Sequence, residues 1–196
     1  LRMIEAVAIL FTVLLAFTEI RHAASSGNIY AGDTSLVECG LQSCVALAMA
    51  IGLERLRLRS HSIVHNVAAI LLTIAAGLIA IFGSLGVENP MIWRINVGGL
   101  VINKLLLAYA MPAVLMLILS YVVAGHRARA YANTVATGAL VLALAYISCE
   151  IRRFYHGPVI SLGGVKDAEQ YTYTIAWLAF GVVLLAAGVL FNSQRA

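Results

Sequence analysis

Apolar residues occupy this chain in six long runs, at 3–18, 36–53, 63–82, 101–123, 134–149 and 171–191, and polar residues gather between them. The runs lack the regular apolar–polar alternation of a half-buried strand and are rich in Leu and Ala, so the pattern predicts helices rather than a barrel. A helix crossing the hydrocarbon core of a bilayer needs about 17–25 mainly apolar residues. Four runs have that length. The first and fifth fall short, and each is expected to extend a turn into its flanks. The predicted fold class is all-α, a polytopic transmembrane helix bundle of six spans.

Composition strengthens this picture. Of 196 residues, 62% are hydrophobic and 11% are charged, whereas soluble domains carry about 45–50% and about 25%; mean hydropathy is +0.93. A chain of this size cannot hide so much apolar surface in water, which argues against a soluble enzyme or a nucleic-acid module. Cys39, Cys44 and Cys149 are too few and odd in number for a full disulfide framework, and they read as small buried hydrophobes.

The net charge of +4 is a topology signal. The short links after the second and fourth runs carry Arg55, Arg57, Arg59, Arg127 and Arg129. With Arg2 and Arg195 they make seven basic residues against Glu5 and Glu54. The other side holds Arg21, Arg94, Lys104, Arg152, Arg153 and Lys166 against seven acids. Short basic links belong in the cytoplasm. Both termini of this segment are therefore expected inside, with three loops of about 15–20 residues facing outward.

Aligned against itself, the chain matches without gaps at an offset of 131, where Glu19-Ile20-Arg21 falls on Glu150-Ile151-Arg152 and Glu38 falls on Glu169. Ile29/Ile160, Gly32/Gly163, Leu47/Leu178, Ala48/Ala179 and Leu53/Leu184 agree as well. The charged matches carry the weight, because charged residues are scarce. Equivalent hairpins have the same orientation, so a parallel internal repeat is expected. Residues 1–131 would form a four-span unit and 132–196 the first hairpin of the next, within a single membrane domain. Such units usually occur in longer arrays, and the first residue is not Met. The chain is expected to be part of a longer protein.

The segment Glu150-Ile151-Arg152-Arg153-Phe154-Tyr155-His156-Gly157, followed by Asp167-Ala168-Glu169-Gln170-Tyr171-Thr172-Tyr173-Thr174-Ile175-Ala176-Trp177-Leu178, closely resembles the bacterial membrane-protein family catalogued as domain of unknown function 2339. Thr18-Glu19-Ile20-Arg21-His22 with Leu36-Val37-Glu38 is similar to a weaker copy of that motif. Glu88-Asn89-Pro90 and the 103–112 segment, from Asn103-Lys104 through Tyr109 to Pro112, resemble the family's middle hairpin. The departures are His22 in place of Arg153, and Ala23-Ala24-Ser25-Ser26 where the second copy has Phe154-Tyr155-His156-Gly157. The resemblance implies a long multi-span protein of the bacterial inner membrane and brings no activity with it.

Candidate chemistry lies at one level. Glu19, Arg21, Glu38, Lys104, Glu150, Arg152 and Glu169 all fall within a turn or two of the outer span ends. No ionisable residue falls near a midplane, where pumps and relays usually place them. One reading makes Glu19, Glu38, Glu150 and Glu169 partners in structural ion pairs. It expects Glu150, Arg152 and Glu169 in one cluster, mirrored by Glu19, Arg21 and Glu38. The other reading is a polar groove in which Arg21, Arg152 and Arg153 act as forked donors to an anionic headgroup or sugar phosphate, joined by Asn103 and Tyr173. Acid/base work by Glu38 and Glu169 comes third. His156 reads as a solvated loop residue. His61 and His65 have the spacing of a helical metal pair without a third ligand beside them. No catalytic residue, metal or cofactor is expected. Pro112 below Tyr109 reads first as a plain kink with Lys104 and Tyr109 as interfacial anchors, and second as a break whose freed carbonyl must be covered by protein, so that the helix faces the bundle; Ala76, Ala80 and Ser84 read as a small-residue packing ladder.

Two function classes follow. The first is transport or handling of an anionic lipid or glycan in an outward-facing groove. The second is a structural or assembly scaffold that docks partner proteins in the membrane. An envelope transferase acting on lipid-linked sugars ranks below both. The expected partners are membrane lipids and other membrane proteins, not nucleic acid.

Overall fold

The computed structural model describes residues 2–25, 27, 30, 34–60, 62–99 and 102–192, with side chains through Leu190. Ser26, Ile29, Gly32, His61 and Arg195 lie outside the described residues. Among these residues six helices form: α1 (Arg2–Ala24), α2 (Leu36–Ser60), α3 (Ile63–Val87), α4 (Leu106–Val123), α5 (Arg129–His156) and α6 (Asp167–Asn192). All six are long and apolar enough to cross a membrane.

Several helix boundaries move where polar side chains hold or cap a turn. Helix α2 runs past its apolar stretch to Ser60, because Arg57 reaches back one turn to Glu54 at 3.0 Å. Helix α5 extends by more than the expected turn at its far end, where Arg153 returns to Glu150 at 2.6 Å. Helix α4 opens later than expected, because the Asn103 side chain accepts the Leu106 N–H at 2.8 Å as a cap. The first and third loops, 25–35 and 157–166, are accordingly shorter than expected.

Polar contacts sort the helix ends into two levels. At one end, Ser62 donates to Glu5 at 2.9 Å and Arg127 meets Glu54 at 2.5 Å. These contacts join the start of α1, the α2–α3 link and the α4–α5 link. At the other end, Arg21 meets Glu38, Thr34 donates to Glu88, and the Val97 N–H donates to the Pro158 carbonyl. That joins all three loops. The first is called the basic end below and the second the loop end.

Helix α2 is the hub, packing against α1, α3 and α4. Its Ala46, Leu47 and Ala50 are fully buried. The small face of α3 meets it as expected: Ala76, Ala80 and Ser84 are buried, and Ser43 donates to the Ala76 carbonyl at 3.3 Å. Between apolar helices in lipid, close packing of this kind and hydrogen bonds replace the hydrophobic drive. Gly40 shows how close the approach is, since a Cβ there would lie 2.5 Å from the Leu107 carbonyl oxygen.

Two π-helical segments, Ile79–Val87 in α3 and Leu106–Ala110 in α4, face this contact. Tyr109 in the second donates to the Ser84 carbonyl in the first at 2.6 Å. Pro112 has no N–H to give the preceding turn. The widened segment before it lets the Met111 N–H reach the Leu106 carbonyl instead. Tyr109 and Pro112 are both buried, so α4 faces the bundle and Tyr109 is a packed residue rather than the interfacial anchor expected first; Lys104 is exposed. By contrast, none of the most apolar window of α1 or of α6 is buried.

Candidate functional site

The loop end carries the candidate site. Glu38 sits in the first turn of α2 and Arg21 near the end of α1, so each charge complements its helix dipole. Arg21 Nη1 lies 2.8 Å from Glu38 Oε2. Ser35 accepts the Glu38 N–H at 3.2 Å, one half of a capping box. Gln42 donates to the other Glu38 oxygen at 3.1 Å.

In the third hairpin Arg152 Nη1 lies 3.0 Å from Glu169 Oε1, and Glu169 is completely buried. Here the carboxylate makes the opposite half of the capping box, accepting the Lys166 N–H at 3.3 Å. Arg152 also donates from Nε to the Ile160 carbonyl at 2.9 Å and from Nη2 to the Gly163 carbonyl at 2.8 Å. His156 Nε2 stands 2.8 Å from Glu169 Oε2. The loop closes over this histidine at Gly163, where φ is +84° and a Cβ would come within 2.9 Å of His156 Nδ1. Only glycine suits that position.

The expected clusters come apart in a regular way. Glu150 does not join Arg152 and Glu169. It accepts from Arg153 at 2.6 and 2.8 Å through one oxygen and from Asn103 through the other. Glu19 is exposed and makes no ion pair among the described residues. The reason is the same in both hairpins. Residues two apart on a helix do not face each other, whereas residues three or four apart do.

The five residues expected to share a ligand are divided among separate partners. Arg21 is on Glu38, Arg152 on Glu169, and Arg153 and Asn103 on Glu150. Tyr173 donates to the Ser148 carbonyl at 3.3 Å and stacks near Trp177, whose indole donates to Ser148 Oγ at 3.1 Å. A loop-end cavity of about 340 Å³ is lined by Thr34, Ser35, Glu88, Ile95 and Lys104, and includes none of the five.

Sequence reasoning missed two groups. His156 is not a wet loop residue but part of the Arg152–Glu169 clasp; its four-residue spacing from Arg152 was the available signal. Glu54 is buried at the basic end and holds both Arg57 and Arg127. Arg127 in turn donates to the Asn66 carbonyl and covers the Tyr131 ring at 5.3 Å. Cys39 and Cys149 are buried as expected, Cys44 is only half-buried, and all three are free of disulfides; His65 is hydrogen-bonded to Ser60 at 2.8 Å.

A family model described as predicted membrane protein (DUF2339) matches residues 1–196. No curated protein and no solved structure matches the chain.

Proposed function

Because the chain belongs to the DUF2339 family of predicted membrane proteins, which carries no assigned activity, we propose its role from the geometry: a structural and assembly scaffold that docks partner proteins within the membrane. One observation carries this reading. Arg21, Arg152 and Arg153, the cations best placed to hold a ligand, each bind a carboxylate of the same chain and tie helix ends together. The outward faces of α1 and α6 remain at membrane depth for partners, since nothing among the described residues buries their apolar windows. Charge asymmetry between the two ends supports cytoplasmic termini. The Arg21–Glu38 and Arg152–Glu169 pairs have the same 17-residue separation, which supports the parallel repeat of hairpins. A bacterial inner-membrane address is the setting we infer.

The loop-end cavity with Glu88 and Lys104 favours a second reading, handling of an anionic lipid or glycan. For Arg152, Arg153, Asn103, Tyr173 and Arg21 to serve that ligand, their present contacts would have to open first, and the ligand would have to repay that difference in its own affinity.

One experiment separates the two. Arg152 and Arg153 are replaced together by Gln, and fold stability in bilayers is measured alongside lipid and glycan retention by native mass spectrometry. The scaffold reading predicts lower stability with unchanged retention. Preserved stability with loss of a bound lipid or glycan overturns it in favour of the groove.

A further inference from the structure

The basic end holds a larger groove, about 770 Å³, where the last turns of α2 and α4 diverge. Leu58, Leu117 and Ile118 form its apolar wall, and Arg55, Tyr121 and His126 stand at its rim. The cations here fall into two kinds. Arg57 and Arg127 are engaged by Glu54. Arg55 is exposed and makes no ion pair among the described residues. Tyr121 is 85% exposed.

We propose that this groove is a binding site for an anionic phospholipid, with the phosphate on Arg55 and Tyr121 and an acyl chain along Leu117 and Ile118. Position along the helices sets both halves of the requirement. Arg55 lies just beyond the apolar run of α2 and Tyr121 in the last turn of α4, the level of lipid headgroups. Leu117 and Ile118 lie about a turn deeper, in hydrocarbon. A soluble phosphate leaves that wall unmatched. A zwitterionic headgroup brings its own cation toward Arg55, which like-charge repulsion disfavours.

The helix dipoles sharpen the assignment. Both α2 and α4 present their C-terminal, carbonyl ends here, and those ends favour cations rather than anions. Anion binding therefore depends on side chains, and among the described residues lining the groove Arg55 carries a guanidinium fork without an ion-pair partner. The site is at the opposite end of the bundle from the Arg152 clasp, so its test is independent of the scaffold reading.

The full chain is reconstituted in vesicles of equal parts phosphatidylglycerol and phosphatidylcholine, and retained lipid is counted by native mass spectrometry. Wild type should retain phosphatidylglycerol selectively. Arg55→Gln should lower that retention about fivefold, the effect of one interfacial Arg, and leave the melting temperature unchanged because no ion pair is lost. Ile118→Trp should fill the wall and displace the lipid with every charge intact. Arg59→Gln, exposed but off the groove, should leave retention as it is. Equal retention of both lipids, unchanged retention in Arg55→Gln, an equal loss in Arg59→Gln, or a co-purified polypeptide on the groove would each overturn the proposal.

Discussion

Helices α2 and α6 stand at matching positions in the 131-residue offset, yet they are held in opposite ways. Helix α2 is gripped along its length by small and apolar contacts: Gly40 against the α4 backbone, and Ala46, Leu47 and Ala50 fully buried. Among the described residues helix α6 packs mainly on α5, and none of its apolar window is buried. What fastens it is a polar clasp at its first turns, made by Glu169, Thr172, Tyr173 and Trp177 against Arg152, His156, Tyr155 and Ser148. The contrast teaches that an equivalent ion pair has a different weight in the two settings. In the first hairpin it supplements packing, and in the third it substitutes for it.

The largest expected effect lies in that clasp. Glu169→Ala leaves Arg152 without its buried partner and should cost about 3–5 kcal/mol, releasing α6 while the rest of the bundle stays folded. Hydrogen exchange across 167–178 should rise far more than across α2. Glu38→Ala is the matched change in the first hairpin. Packing along α2 remains when this pair is lost, so the expected loss is about 1.5–3 kcal/mol, that of a hydrogen bond to a charged group, with α2 still protected from exchange. A comparable release of α2 and α6 would erase the distinction.

Packing can be tested with glycines. Gly40→Leu drives a side chain into the Leu107 and Ala108 backbone and should cost about 1–3 kcal/mol, lowering the cooperative melt of the whole bundle. Gly181 on α6 has nothing within 4 Å of an added Cβ, so Gly181→Ala should be neutral or gain up to about 1 kcal/mol from helix propensity. The smallest loss expected is for Trp177→Phe. It removes one hydrogen bond to Ser148, worth about 0.6 kcal/mol between membrane helices, and should appear as a slight rise in exchange confined to α6.

Much of this was legible in the chain. Apolar runs located all six helices, and the scarcity of charge made Arg21, Glu38, Arg152 and Glu169 stand out. The Ala76, Ala80 and Ser84 ladder was readable because small residues at helical spacing have few other uses in lipid. The remainder depended on side-chain direction and on long-range contacts. Glu150 belongs with Arg153 by helical geometry, a rule available from spacing alone, but its second partner Asn103 arrives from a loop 47 residues away. The π-helical widening before Pro112 was visible only as a kink, since the i→i−5 bond depends on what α2 and α3 place beside it. Neither the groove at the basic end nor the bareness of α6 has any one-dimensional signature, because each is set by which helices do not meet.

The central claim, that the loop-end arginines are engaged by their own carboxylates, is tested most directly by a double-mutant cycle on Arg152→Gln and Glu169→Gln, with stability read in bilayers. If the two groups form one buried pair, the double variant should be no less stable than the worse single, giving a coupling of about 2–3 kcal/mol. Additive losses, with coupling near zero, would mean that Arg152 and Glu169 act independently and that the arginine is free to serve something other than the fold.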